Sequence, residues 1–322
     1  MNEPTFSDPP APHARRDRLL LISALALSLL LLCAAFLLFR RNAQQQAAAS
    51  PSPSPSPAAA TAENPGAPLL TAYFLDVGQG DAALLLSPGG KTMLVDAGPS
   101  GSFPAVRRLL DSLGVRSLDM VVCTHLHSDH IGGMAEVVRR YPVGQLYLPP
   151  FDIENSAYAD LVAALDEEGV TATPVHAAAN ETLVWDDGVE VRVLSPFDVT
   201  YDDENDTSVV LRIAYGNTSL LLCGDAGETS ELLMKKAFPD RYLHADVLKV
   251  GHHGSNTGTK RKFLSAVRPK LAVISVGKDN GYGLPDEKVL ARLTDAGARI
   301  LRTDECGTVE IQLDGTSAWV VE

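Results

Sequence analysis

From residue 69 onward, apolar runs alternate with amphipathic ones, and clusters of Gly, Asp, Ser and Pro separate them. Short runs rich in Val, Ile and Leu predict strands over 69–75, 81–86, 91–96, 118–124, 189–194 and 208–215. Further strands are predicted over 219–223, 246–250, 270–276, 299–303, 308–313 and 318–321. Apolar positions spaced three and four apart predict helices over 103–113, 132–140, 158–168, 230–237 and 287–296. Apolar strands mixed with amphipathic helices imply an α/β (α+β) domain in which helices cover sheets. No internal repeat stands out.

The first 68 residues follow another pattern. Residues 19–39 read LLLISALALSLLLLCAAFLLF, 21 positions without a charge. As a helix this segment crosses the roughly 30 Å of a bilayer's hydrocarbon. Neither face is polar, which argues against a surface helix of the domain. Arg15, Arg16 and Arg18 precede it and Arg40 and Arg41 follow it, a small excess that places the N-terminus inside the cell. Cys33 is a poor lipidation site, because Leu32 stands before it and apolar residues continue past it. A signal peptide cut near Ala47 to Ala49 is the alternative to an uncleaved anchor. Residues 40–68 hold QQQAAAS and PSPSPSP, a linker that favours extended polyproline II. The expected plan is a cytoplasmic tail (1–18), a transmembrane helix (19–39), a Pro/Ser/Ala-rich linker (40–68) and an extracellular domain (69–322). That makes a single-pass protein of the cell membrane, with no obligate protein partner evident.

Composition narrows the function. Of the 322 residues, 45% are hydrophobic and 21% charged, which excludes a disordered, collagen-like or multi-span chain. The formal charge is −13; residues 69–322 hold 22 basic and 36 acidic side chains, a net −14. A non-specific nucleic-acid binder usually carries a basic surface, and this domain on average does not. The four cysteines, Cys33, Cys123, Cys223 and Cys306, form no Cys-x-x-Cys pair, which argues against a disulfide scaffold or zinc ribbon. Cys123 and Cys223 fall in apolar strands and read as small buried hydrophobes.

The strongest chemical signal is THLHSDHIGG, residues 124–133. His125, His127, Asp129 and His130 are four candidate metal ligands in six residues, placed between an apolar strand and a Gly-Gly helix start. Imidazole with carboxylate suits Zn, Mn or Fe. LLLCGDAG (220–227) puts Asp225 in a turn after another apolar strand, where it either joins the metal site or caps the next helix. DVLKVGHHGSNTGT (246–259) puts His252 and His253 beyond a further strand. A neutral imidazole there serves as ligand or proton donor, and the reading leans to His252 as the ligand. Ser255 and Asn256 follow as candidate contacts to substrate oxygens, and Lys249 reads as structural. FLDVGQGDAALL (74–85) is a glycine turn between strands carrying Asp76 and Asp81.

The His-x-His-x-Asp-His motif resembles that of the metallo-β-lactamase superfamily. Together with DVGQGD, the Gly-Asp turn, HHGS and NGYG (280–283), it resembles the ComEC-type branch, the hydrolase domain of DNA-uptake competence proteins, over about 72–313. The resemblance implies an αββα sandwich with metals at one edge. It implies that Asp225 bridges two ions, that His125, His127, Asp129, His130 and His252 complete their shells, and that His253 or His252 protonates the leaving group. Asp96 in LVDAG, with Asp76 and Asp81, would support the ligands from behind. Two departures stand out. Asn205 occupies the region where many members carry a histidine, as ComEC-type domains do, and Leu284 stands where relatives often show histidine, which leaves one tight and one loose metal as an option. The implied activity is metal-dependent hydrolysis, probing first phosphodiesters of DNA or a smaller molecule, with two Zn²⁺ ions (Mn²⁺ as the alternative) supplying an activated hydroxide near Asp129 and Asp225. Asn205, Ser255, Asn256, Lys278 and Tyr282 are the candidate substrate contacts. Another cell-surface ester such as phosphocholine, a β-lactam, and a non-catalytic binding module are the competing readings. One membrane helix excludes a DNA-uptake channel formed by this chain alone.

Overall fold

The computed structural model describes residues 68–177 and 182–322. The proposed membrane helix 19–39 and its linker lie outside the described residues, and none of the described helices is long and apolar enough to cross a membrane.

Two mixed sheets form the centre. The first joins β1 (Leu70–Phe74), β2 (Ala83–Leu86), β3 (Thr92–Val95), β4 (Leu118–Val122), β5 (Val143–Leu148) and β6 (Ala172–Pro174) in that order. The second joins β7 (Thr182–Asp186), β8 (Val189–Ser195), β9 (Val210–Tyr215), β10 (Thr218–Leu222), β11 (Val247–Lys249), β12 (Leu271–Ile274) and β13 (Arg299–Arg302). β14 (Val309–Leu313) then pairs antiparallel with β1, and β15 (Ala318–Val320) with β14. The sheets share a pattern: β1, β2 and β3 are antiparallel and β3 to β6 parallel, as β8, β9 and β10 are antiparallel and β10 to β13 parallel. The linear sequence shows no repeat, so this likeness lives in topology.

Strand alternation explains the layers. Leu70, Ala72 and Phe74 of β1 and Leu220 and Leu222 of β10 point between the sheets. Leu84 and Val121 face the other way, against helices Phe103–Ser112, Met134–Arg140 and Ser156–Glu168. Leu221 and Leu248 face helices Glu228–Ala237, Arg261–Val267 and Glu287–Asp295 on the second sheet. The result is the expected helix–sheet–sheet–helix sandwich. The sequence reading misses β5, β6 and β7. β5 contains Gly144 and β6 is three residues ending in Pro174, both weak strand signals, whereas β7, TLVWD, alternates exposed and buried positions and carries strand-favouring Thr, Val and Trp that the reading passes over.

One inward position breaks the apolar pattern. Lys249 on β11 is 3% exposed, and its Nζ lies 2.7 Å from Asp81 Oδ2 in the β1–β2 turn. This buried pair ties the sheets together below the loops that carry the histidines. Burial raises the Asp81 carboxyl, but Lys249 and then His253 outweigh that and hold it well below the usual carboxylate range. Lys249→Met should therefore destabilise the fold by about 3–5 kcal/mol in urea unfolding, because it strands a buried charge. Adding Asp81→Asn should restore part of the loss; a single Lys249→Met variant of unchanged stability would show that the pair ties nothing.

Glu231 clamps a neighbouring loop. Its carboxylate accepts from Thr259 N and, at 3.0 Å, from Lys260 N. Burial pushes its carboxyl up from 4.5 to about 8, and those hydrogen bonds offset only part of the rise. The native state thus holds a proton that the unfolded chain has released. Stability from this group falls as pH rises from about 4.5 to about 8. In Glu231→Gln the pH slope of the unfolding free energy over that window should flatten, measured against wild type in the same buffers.

Candidate metal centre

The candidate ligands come from loops at the carboxyl ends of strands in both sheets. Asp96 follows β3 and His125–His130 follow β4; Asp225 follows β10 and His252–His253 follow β11. Ligands collect at such ends because short loops there can aim side chains into one crevice while the strands fix their origins.

Hydrogen-bond donors on the outer atoms set which nitrogens face inward. His130 is fully buried, and its Nδ1 lies 2.8 Å from Asp96 Oδ2. Asp96 also accepts from Thr124 N at 2.7 Å and Thr124 Oγ1 at 2.6 Å. A carboxylate can only accept, so His130 Nδ1 carries the proton. Its Nε2 then aims a lone pair at Asp225 Oδ1, 3.3 Å away, and at Asp129 Oδ2, 3.9 Å away. Among the described residues neither His130 Nε2 nor Asp225 Oδ1 has a hydrogen-bond partner. His253 repeats the logic. Its Nδ1 donates to Ser275 O at 3.0 Å, and its Nε2 lies 3.2 Å from Asp129 Oδ2 and 3.5 Å from Asp225 Oδ2. One donor atom from each of Asp129, His130, Asp225 and His253 falls within 4.8 Å of the others.

A second set also meets Asp225, at Oδ2. Thr124 Oγ1 gives its proton to Asp96, so it accepts from His125 Nδ1 at 3.3 Å. His127 Nε2 donates to Glu204 Oε2 at 3.0 Å. Those two bonds leave His125 Nε2 and His127 Nδ1 as lone pairs 3.0 Å apart. His125 Nε2 and His252 Nε2 each lie 3.8 Å from Asp225 Oδ2. His252 Nδ1 is 2.9 Å from Thr257 Oγ1. Facing lone pairs beside a buried carboxylate repel unless a cation stands among them, so both sets fit a divalent ion.

Protonation follows the same field. Burial lowers the His130 imidazole, but Asp225 and Asp96 outweigh it and raise it well above its ordinary value. His253 is raised to about 10, burial being overcome by Asp225, Asp129 and Asp81. Burial, with His130 beside it, pushes His125 well down and keeps that ring neutral. Carboxylates that draw protons onto the inward nitrogens of His130 and His253 make a pocket for positive charge, and a divalent ion would stand in place of those protons and meet the lone pairs.

The structure separates the predicted residues. Both His252 and His253 reach Asp225, where the sequence leans to His252 as ligand and leaves either ring as proton donor. Successive left-handed backbones, φ 50° and 51°, splay the two rings. Asp225 caps no helix: the N–H groups of Gly227 and Ser230 go to Asp206 instead. Asp81 and Asp96 back the site, but Asp76 Oδ1 accepts from Gly78 N and serves its own turn. Asn205, Tyr282 and Leu284, with Gln79, line a cleft of about 430 Å³ over Asp129 and Asp225. Ser255, Asn256 and Lys278 do not line it. Asn256 Oδ1 is held by Arg292 at 2.8 Å.

Sequence reasoning misses Glu204 and Thr124, which orient ligands. Thr124 begins the histidine motif and Glu204 precedes Asn205, so adjacency was the only signal. Glu204→Ala should weaken binding of the ion at His125 and His127 about tenfold, read by chelator competition, with Glu204→Gln in between. Equal affinities in all three proteins would remove the orienting role.

Comparison with known proteins agrees with this geometry. The family model described as "Metallo-beta-lactamase superfamily" matches residues 75–278. ComE operon protein 3 of Bacillus subtilis (strain 168) is 32% identical over 253 residues, covering 73% of this chain and 32% of that protein. Competence protein ComA of Neisseria gonorrhoeae is 32% identical over 239 residues, covering 74% and 31%. Recombination protein 2 of Haemophilus influenzae (strain ATCC 51907 / DSM 11121 / KW20 / Rd) is 31% identical over 241 residues, covering 74% and 28%. The chain thus spans about a third of the length of these relatives. With two sheets between helix layers and a histidine–aspartate cluster at their shared edge, the chain belongs to the metallo-β-lactamase superfamily.

Proposed function

We propose that this chain is a membrane-tethered two-metal hydrolase that cleaves phosphodiester bonds, in DNA or in a smaller molecule. The plan places residues 19–39 as the membrane helix and 69–322 outside the cell. The observation that carries the reading is the pair of donor sets converging on Asp225, each with lone pairs facing a carboxylate across an open cleft. His125, His127, His252 and Asp225 would hold one ion; Asp129, His130, His253 and Asp225 would hold the other. The donor chemistry suits Zn²⁺, with Mn²⁺ as the alternative. Bound divalent ions supply Lewis acidity at a phosphoryl oxygen and acidify water toward neutral pKa.

The chain's own residues do the remaining work. Asp96, Thr124, Ser275 and Glu204 fix the tautomers of the four inner histidines. Asn205 Nδ2 donates to Asp203 Oδ1 at 3.0 Å, and its own buried Oδ1 has no partner among the described residues. That amide is positioned to orient an entering water or a substrate hydroxyl. His252, about a quarter exposed, would present its Nε2 to the ion at the cleft surface, with its Nδ1 beside Thr257 Oγ1. Leu284 removes no donor from either set, which supports two ions over one. The relatives' names refer to competence and recombination, and this turns the reading from lactams toward nucleic acid.

The detergent-solubilised chain should purify with about two metals and cleave bis-p-nitrophenyl phosphate, with activity lost to a chelator and restored by Zn²⁺ or Mn²⁺. His127→Ala with Asp129→Ala should cut the rate about a hundredfold or more while the far-ultraviolet circular dichroism stays unchanged. Full activity in that double variant would end the two-metal reading.

A further inference from the structure

The cleft over the metal centre has an unusual lining for an enzyme of polyanions. Gln79, Asn205, Tyr282 and Leu284 border it beside the candidate ligands, and among the described residues no Lys or Arg does. The domain around it is net −14. Proteins that hold nucleic acid through its backbone do so with Lys and Arg against the phosphates. Here any affinity beyond the scissile group has to come from another part of the substrate.

Tyr282 supplies a surface for it. The ring is 76% exposed at the cleft, an aromatic face open to a flat group beside the candidate ligands. Its loop is braced rather than loose. Asn280 Oδ1 accepts from Tyr282 N at 3.2 Å and Leu284 N at 3.1 Å. Asn280 Nδ2 donates to Gly277 O at 2.9 Å and Leu284 O at 2.7 Å. Gly277 N in turn donates to Gln79 Oε1 at 3.1 Å, which fastens the loop to the β1–β2 turn. Gly281 and Gly283 flank the ring with no bulk of their own. A rigid loop thus holds an open aromatic face beside Leu284 at the edge of the metal cleft.

We infer that Tyr282 is a stacking platform for one unpaired base next to the scissile phosphodiester, so that the substrate is single-stranded nucleic acid and not duplex. The inference rests on the phosphodiester reading and deepens it. A nucleobase is the flat ring that a phosphodiester chain carries next to its phosphate. In a duplex that face is covered by neighbouring base pairs and cannot reach Tyr282. Stacking on an aromatic ring contributes enough to replace lost phosphate contacts and is tolerant of sequence. Binding should then depend only weakly on salt, unlike binding by counterion release.

The test uses the metal-loaded full chain and three fluorescent probes: a short oligothymidylate, an abasic strand of equal length and charge, and the oligothymidylate paired with its complement. Wild type should bind the oligothymidylate about tenfold more tightly than the abasic strand or the duplex, by fluorescence anisotropy. Tyr282→Ala should erase the preference for bases, and Tyr282→Trp should keep it. Equal binding of normal and abasic strands by wild type, a preference retained in Tyr282→Ala, or duplex bound as well as single strand would each overturn the inference. Base-dependent binding without any hydrolysis would sustain the platform and sink the phosphodiesterase reading. Hydrolysis without base preference would do the reverse.

Discussion

Charge compensation at Asp225 is the constraint on which the site depends. Three carboxylates are buried below the cleft: Asp81, Asp96 and Asp225. Lys249 neutralises Asp81 and the Nδ1–H of His130 faces Asp96, whereas Asp225 meets only nitrogens whose protons are committed elsewhere. Burying an ionised carboxylate without a partner is costly, and neutralising it with imidazolium uses up the lone pairs that the outer hydrogen bonds have prepared. A divalent ion on each side, as proposed, would resolve both problems together. Thr124 and Ser275 matter for the same reason, since each removes one alternative tautomer that would turn a proton toward Asp225, and Glu204 does the same for the His127 nitrogen that faces His125.

The topology supplies these groups twice over. Each sheet passes from antiparallel strands to parallel ones, and a carboxylate follows the strand at the change in each case, Asp96 after β3 and Asp225 after β10. Histidines follow the next strand in each case, after β4 and after β11. The halves have diverged in use. Asp96 holds a histidine from behind, whereas Asp225 faces the cleft. No repeat is visible in the linear sequence because a two-layer core demands only apolar alternation, and the loops that carry chemistry differ in length and composition.

How much of this was legible depends on whether a feature is local. The central strands and the longer helices announce themselves through periodicity, since both faces or one stripe must be apolar. His125, His127, Asp129 and His130 announce themselves through spacing. The division of labour between His252 and His253 does not, because it turns on backbone φ and on a carbonyl, Ser275 O, twenty-two residues away. Asn256 illustrates the opposite error. It stands among plausible substrate contacts in the sequence, yet Arg292 from another helix holds its amide. Lys249 reads as an ordinary strand residue until its partner, Asp81, arrives from the opposite sheet.

The adjacent histidines show why strain belongs at such a place. A residue in extended or helical conformation aims its side chain apart from its neighbour's in a fixed way, and neither geometry brings two consecutive rings onto one carboxylate oxygen, as His252 and His253 meet Asp225 Oδ2. Two left-handed residues in succession do so here. Non-glycine residues in that region cost of order 1–3 kcal/mol each, and they persist only when surrounding contacts over-determine them. Those contacts are present: His252 N donates to Gly224 O at 3.0 Å, His252 Nδ1 meets Thr257, and His253 Nδ1 meets Ser275. The first bond joins the histidine turn to the loop that presents Asp225. The strained turn and the shared carboxylate are thereby one unit, and a change in either moves donors of both sets.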